Sequence, residues 1–153
     1  MSDTHRYWQR MYDVLVMHPE ADLVLHLGDL VDDFDNVRAA LPTMNMRCVS
    51  GNCDYGCALP SESLDELGGK RIFFTHGDQY HVKRGTHLLE SVARQRGAAI
   101  CLYGHTHVAE THYTVGLYVM NPGSLGNPRD GAPTYGIVDI GPAGIVMNIA
   151  RYR

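Results

Sequence analysis

A chain of 153 residues, 44% hydrophobic and 20% charged, is long enough to bury a core without disulfide or metal staples, and its make-up excludes a disordered or fibrous class. A formal net charge of −4 offers no basic face to a polynucleotide. No apolar run reaches the roughly 18 residues of a membrane span and no basic segment with an apolar h-region opens the chain, so one domain over residues 1–153 is expected in the cytoplasm, with no membrane or nucleic-acid polymer as partner.

Trp8, Met11, Tyr12 and Leu15 recur at helical spacing and Pro19 stops the run, which predicts a helix directly after Asp3-Thr4-His5. Asp22 to Leu27 (DLVLHL) has the branched apolar content of a buried strand and runs into Gly28-Asp29. Asp35 to Leu41 reads as a short helix closed by Pro42, and Met46 to Ser50 as a strand running into Gly51-Asn52-Cys53-Asp54. The same pattern places Arg71 to Thr75 before His76-Gly77-Asp78, and Ala99 to Tyr103 before Gly104-His105-Thr106-His107, with a helix from about Thr86 to Arg96 between them. From Glu110 onward Gly and Pro divide four short strands, Thr111 to Val115, Leu117 to Asn121, Tyr135 to Ile140 and Ile145 to Arg151, and predict a β-meander. Strands alternating with helices and then strands alone predict an α/β class: a mixed sandwich, largely parallel at first and antiparallel later, with helices outside.

Cys48, Cys53, Cys57 and Cys101 are unevenly spaced and read as reduced thiols. Cys53 and Cys57 form C-x3-C without a second pair, which weighs against a structural zinc site.

Ligands of open α/β sheets gather beyond the carboxyl ends of strands. There the sequence places Asp3, His5, Asp29, Asn52, His76, His105 and His107. Seven such side chains suit two metal ions that share one carboxylate and keep room for water. Carboxylate, imidazole and amide oxygen favour Mn, Fe, Zn or Co over soft, thiolate-seeking metals. Asp-x-His and His-x-His at strand ends put alternate side chains on one side. Two ions roughly 3.5–4 Å apart can share a hydroxide that attacks phosphorus in line, which points to hydrolysis of a phosphoester.

These residues resemble the calcineurin-like metallophosphoesterases, and within them the small bacterial and archaeal phosphodiesterases of the YfcE type. The resemblance runs through SDTH at Ser2 to His5, LGD at Leu27 to Asp29, GNCD at Gly51 to Asp54, THG at Thr75 to Gly77, GHTH at Gly104 to His107 and NPGS at Asn121 to Ser124, nearly the whole chain. It implies a four-layer α/β/β/α sandwich. It also implies Asp3, His5, Asp29 and His107 on a first divalent ion and Asp29, Asn52, His76 and His105 on a second, with Asp29 as the bridge and Mn as the first expectation ahead of Zn, Fe, Ni or Co. A small phosphodiester is the implied substrate, and a homodimer is a family-level expectation.

Asn52, Asp54 and His76 are the catalytic candidates, Asp54 as an acid only if its pKa were raised. Cys53 stands where many phosphomonoesterases of the superfamily carry a histidine; a thiol with an ordinary pKa near 8.5 replaces imidazole poorly, so diesters are favoured. Cys53 and Arg129 are the candidate substrate contacts, and Lys83-Arg84 offer further donors to a phosphate, although solvated surface charge is the somewhat stronger reading of all three cations. Asp78 stands where the family has a second histidine, which puts local hydrogen bonding in doubt. His18, His26, His81, His87 and His112 have no motif support; His26, alternating with Leu25 and Leu27, reads as packed.

The family's first strand, an apolar run ahead of Ser-Asp-Thr-His, has no counterpart here. Either the start lies upstream or the shortened chain is the product; in the second case strand edges are exposed and Asp3 and His5 sit on a frayed terminus, with reduced occupancy of the first metal site. Two rival functions stand beside the enzyme: a non-catalytic protein-binding scaffold, as in the retromer subunit of this fold, and a phosphomonoesterase. The filled set of seven ligand positions favours the enzyme, and Cys53 disfavours the monoesterase.

Overall fold

The buried apolar residues sort into three clusters, and the clusters define the layers. A computed structural model describes residues 1–153. Its helices are Trp8–Met17 (α1), Val31–Ala40 (α2) and His87–Gln95 (α3). Its strands are Val24–His26 (β1), Met46–Cys48 (β2), Glu62–Leu67 (β3), Lys70–Thr75 (β4), Ile100–Leu102 (β5), Ala109–Thr114 (β6), Leu117–Pro122 (β7), Thr134–Gly141 (β8) and Gly144–Arg151 (β9). One sheet has the order β3-β4-β5-β7-β6, parallel at its centre and antiparallel at both edges. β1 pairs with β2 in parallel, and β8 with β9 antiparallel.

Successive residues of a strand point to opposite faces, and the central strands use both. Ile72, Phe74, Ile100, Leu102 and Met120 face inward, against Leu27, Val49 and, from β8 and β9, Val138, Ile140, Ile145 and Met147. Phe73, Cys101, Leu117 and Val119 face the other way, onto Leu89 and Ala93 of α3. The third cluster joins Met11, Val14 and Leu15 of α1 and Phe34 and Val37 of α2 to Val24, Met46, Cys48 and Tyr135. The layers therefore run α1/α2, then β1, β2, β8 and β9, then β3 to β7, then α3: the expected four-layer sandwich. Burial on both faces is why β4 and β5 read as unbroken apolar runs.

Three elements differ from expectation. β3 is invisible to hydropathy because ESLDEL is a polar edge strand, held by its register with β4 from Glu62 opposite Thr75 to Leu67 opposite Lys70. α2 begins at Val31, before Asp35, and puts Asp32 and Asp33 in its first turn, where carboxylates suit the helix dipole. The C-terminal strands are two hairpins in two different layers, β6-β7 and β8-β9, and not one meander.

The chain start is not frayed. The Met1 amino group donates to Leu25 O at 2.7 Å, Met1 O accepts from Leu27 N at 2.9 Å and Asp3 N donates to Gly28 O at 3.0 Å, a short ladder parallel to β1. On the other flank Ser2 O and Asp3 O accept from Leu125 N and Gly126 N at 3.3 and 3.0 Å. Ser2, Asp3 and Thr4 are fully buried as a result. Beyond Met1, where exposed edges were expected, Leu25, Leu67, Ile72, Val138 and Ile140 line an apolar cleft of about 100 Å³.

Burial in this surrounding lowers the pKa of the Met1 amino group to about 5 from 8.0. The folded state favours the neutral amine, so between pH 5 and 8 the unfolded chain binds more protons, and the group's contribution to stability grows as pH rises through that window. Nα-acetylation removes the charge and is expected to flatten this rise. Urea midpoints of the free and acetylated chains from pH 5 to 8 check it; parallel curves would show that the amine is not responsible.

Candidate metal centre

The loops that end β1, β2, β4 and β5 meet the segment ahead of α1, and the backbone is bent sharply there. Asp3, His5, Asp29, His105 and His107 have φ of 54°, 43°, 50°, 68° and 60°, a left-handed conformation uncommon outside glycine. It costs of order 1–3 kcal/mol per residue and persists only where the surroundings over-determine it. Here they do: Asp3 N and O are both hydrogen-bonded, Ser124 Oγ also donates to Asp3 O at 2.7 Å, and Asp54 binds the Asp29 loop.

The bends bring the polar atoms together. His5 Nε2 lies 3.2 Å from His107 Nε2, which is 3.0 Å from Asp3 Oδ1. His76 Nε2 lies 3.2 Å from Asn52 Oδ1 and 3.5 Å from Asp29 Oδ2. Donor atoms of Asp3, Asp29 and His76 fall within 4.8 Å of one another, as do those of Asp3, His5 and His107 and those of His5, Asp29 and Cys53. His105 lies at the rim: it belongs to none of these groups, its ring centroid is 5.0 Å from that of His76, and its backbone N–H, not its ring, donates to Asp3 Oδ2 at 3.1 Å.

The hydrogen bonds decide which ring nitrogens are free. His76 Nδ1 is 2.7 Å from Leu27 O and His107 Nδ1 is 2.6 Å from Asn127 O. A carbonyl only accepts, so both Nδ1 atoms carry hydrogen, and in the neutral ring both Nε2 atoms present a lone pair. Those lone pairs face the oxygens of Asp29, Asn52 and Asp3. Asp3 Oδ1 itself is buried, and the His107 Nε2 that lies 3.0 Å away can donate to it only when that ring is protonated. Acceptors gathered at such distances repel one another unless a cation or a proton lies among them, and an imidazole tied through its other nitrogen to a carbonyl is the arrangement common among metal-ligating histidines. The donor set fits divalent ions.

The His107 pKa is raised by its hydrogen bond to Asp3 in spite of burial, with help from the Asp3 charge and the Asn127 carbonyl. Burial pushes Asp3 up, but hydrogen bonds from His107 and Ser2 and the charge of His76 carry it below the usual carboxylate range. His105 is lowered by burial and by the nearby His76 and Lys83.

The remaining candidates surround this cluster. Asp54 accepts from the backbone N–H of Asp29, Val31 and Gly51 at 3.0, 2.8 and 2.7 Å; its carboxylate is spent on bracing two loops, a different task from the proton donation considered above. Cys53 is exposed and its N–H donates to Asp29 Oδ1 at 2.8 Å. Partial burial and the adjacent Asp29 raise its thiol to about 11, so it keeps its proton. Arg129 is exposed and anchored to His107 O through its N–H at 3.1 Å. An open cavity of about 390 Å³ is lined by Lys83, Thr86, Tyr103, Thr106 and Glu110, among others, and by none of the seven ligand candidates. Asn121 and Ser124 carry roles that sequence reasoning had not assigned: Asn121 Nδ2 holds Gly104 O at 2.8 Å and Thr106 Oγ1 at 3.0 Å, and Ser124 Oγ accepts from Asn127 N at 2.8 Å. Their one signal was the NPGS motif itself.

A four-layer α/β/β/α sandwich with carboxylates, imidazoles and an amide oxygen converging at its strand ends is the arrangement of a metallophosphoesterase. The calcineurin-like phosphoesterase superfamily domain matches residues 1–142, and the chain belongs to that superfamily. It is 30% identical over 130 residues to the probable metallophosphoesterase YsnB of Bacillus subtilis, covering 84% of this chain and 75% of that one. A crystal structure of a predicted phosphoesterase from Streptococcus pneumoniae superposes with a TM-score of 0.87 at 29% identity, over 99% of this chain and 87% of the other. Vps29 from Entamoeba histolytica, crystallised with Zn²⁺, shares the fold with a TM-score of 0.70 at 21% identity, over 91% and 89% of the two chains. No helix is long and apolar enough to cross a membrane.

Proposed function

We propose that the chain is a metal-dependent phosphodiesterase for a small diester, working in the cytoplasm, where its four free cysteines stay reduced. The observation that carries this is the convergence of the Nε2 lone pairs of His76 and His107 on the buried carboxylates of Asp3 and Asp29. Asp3, His5, Asp29 and His107 would hold one ion, and Asp29, Asn52, His76 and His105 a second, manganese being the first to test and Zn, Fe, Ni or Co the alternatives. Bound there, divalent ions supply Lewis acidity for water and for the phosphoryl oxygens. Asn52 and His76 orient that end of the site, and Asp54 keeps the Asp29 and Gly51 loops in register.

A diester is favoured on two grounds. The residue after Asn52 is a thiol that keeps its proton to about pH 11, fit to donate a hydrogen bond from Cys53 to a phosphate oxygen but a poor acid for an alkoxide leaving group. The open cavity lined by Lys83, Thr106 and Glu110 offers room for the second ester arm, with Lys83 on its wall and Arg129, bonded through its backbone N–H to His107 O, to meet phosphate charge.

The direct test is side-by-side hydrolysis of bis-p-nitrophenyl phosphate and p-nitrophenyl phosphate with added Mn. A kcat/KM ratio above about 10 in favour of the diester, more than 1.4 kcal/mol in transition-state preference, is expected; a reversed ratio would establish the monoesterase. Lys83→Ala is expected to raise KM for a nucleotide diester several-fold and to leave kcat nearly unchanged, as loss of uniform binding does. The likeness to Vps29 supports a second function, a protein-binding scaffold, and absence of turnover with all five metals would put it first.

A further inference from the structure

His26 lies on β1 three residues before Asp29 and is fully buried. Gly28 N donates to its Nδ1 at 3.3 Å, so Nδ1 is an acceptor and the ring hydrogen sits on Nε2. That nitrogen is 3.3 Å from Thr4 Oγ1. The Cys48 thiol, 3.4 Å from Nδ1, turns its hydrogen to Val49 O at 3.3 Å and leaves Nδ1 to Gly28. One neutral ring thus spans two loops: Thr4 separates Asp3 from His5, and Gly28 precedes Asp29. The backbone supplies a second link between them, Asp3 N to Gly28 O at 3.0 Å.

We propose that His26 is a positioning residue, locking the Thr4 and Gly28 loops in the register at which Asp3, His5 and Asp29 converge on one ion; the assignment rests on the metal-binding function proposed above. Burial lowers the His26 pKa to about 3, so the ring stays neutral and keeps one tautomer under working conditions. An apolar side chain of similar volume would fill the space but leave the Thr4 hydroxyl and the Gly28 N–H unpaired in a dry interior, at the cost of both desolvated groups. The left-handed backbone of Asp3, His5 and Asp29 makes the register sensitive to such a loss, because nothing local favours those conformations. Groups that hold metal ligands in place typically matter 10–100-fold in metal affinity.

The test is titration of the metal-free chain with Mn by calorimetry, paired with thermal unfolding in EDTA, for three variants. Thr4→Val removes the hydroxyl at constant shape. His26→Asn keeps an acceptor near Gly28 but cannot reach Thr4, and His26→Gln keeps the reach to Thr4 but not the acceptor. Thr4→Val and His26→Asn are expected to weaken Mn binding about 10–100-fold, with His26→Gln between them and the unsubstituted chain. If His26 only fills space, its variants unfold earlier in EDTA while Mn affinity stays unchanged throughout, which overturns the assignment. Should the His26 variants fail to fold, Thr4→Val decides alone. Failure of the unsubstituted chain to bind Mn overturns the metal-binding function first and this assignment with it, and is told apart because it precedes any substitution.

Discussion

Asp29→Asn is expected to leave the chain folded and to slow hydrolysis of bis-p-nitrophenyl phosphate by a factor of about 10³ or more, some 4 kcal/mol of transition-state stabilisation. Asp29 is only 2% exposed, and its two oxygens face different partners: Oδ1 accepts the Cys53 N–H at 2.8 Å and Oδ2 lies 3.5 Å from His76 Nε2. The amide keeps the shape and can keep the bond to Cys53, so loops and core should survive. What it loses is the negative charge between the two halves of the cluster, which no neighbour supplies in the same place. Far-UV circular dichroism, bound Mn per chain and kcat measured together check this. A variant within tenfold of the parent would remove Asp29 from the centre of the mechanism.

Gly51→Ala is expected to abolish activity through a single methyl group. Gly51 has no positive φ, so the backbone tolerates alanine, but a Cβ there would stand 2.2 Å from Asp29 Oδ1 and 2.9 Å from both Asp29 N and His76 Cγ. None of those atoms can retreat cheaply: His76 is tied to Leu27 O, and Asp29 N to Asp54. Overpacking of this kind costs about 1–3 kcal/mol of stability, and any relief moves Asp29 away from His76, so turnover should fall more than stability suggests. Gly141→Ala is the control, since a Cβ there meets nothing within 4 Å, and it should be silent in both readouts. Equal behaviour of the two variants in denaturant midpoint and kcat would sink the explanation.

Much of this was legible because strands buried on both faces must be apolar throughout and must stop where the chain turns polar. DLVLHL before Gly28-Asp29 and RIFFT before His76 announce both a strand and the ligand-type side chain at its end. β3 was not legible, because an edge strand facing water needs no apolar run, and Glu62, Asp65 and Glu66 disguise it. The partition of β6-β7 and β8-β9 between layers was hidden too, since hairpins in one sheet or in two share the same local pattern. Asp54 shows the limit for chemistry. Its place beside Cys53 suggested a proton donor, and the backbone N–H groups of Asp29 and Val31 after β1, with that of Gly51 in its own loop, make it a brace. His26 read as a packed residue; it is packed, and it is also hydrogen-bonded at both nitrogens to groups flanking the metal-ligand candidates.

The sequence by itself determined the chemical kinds and their order: carboxylates, imidazoles and an amide at the ends of successive strands, and a thiol after Asn52. Only the tertiary structure decided which of them meet, that Asp3 is anchored on both flanks, that His105 stands at the rim, and which imidazole nitrogen is free. The physical reason is that element type follows from local spacing. Convergence, burial and protonation depend on atoms contributed by residues as far apart as His5 and His107, whose approach no local pattern encodes.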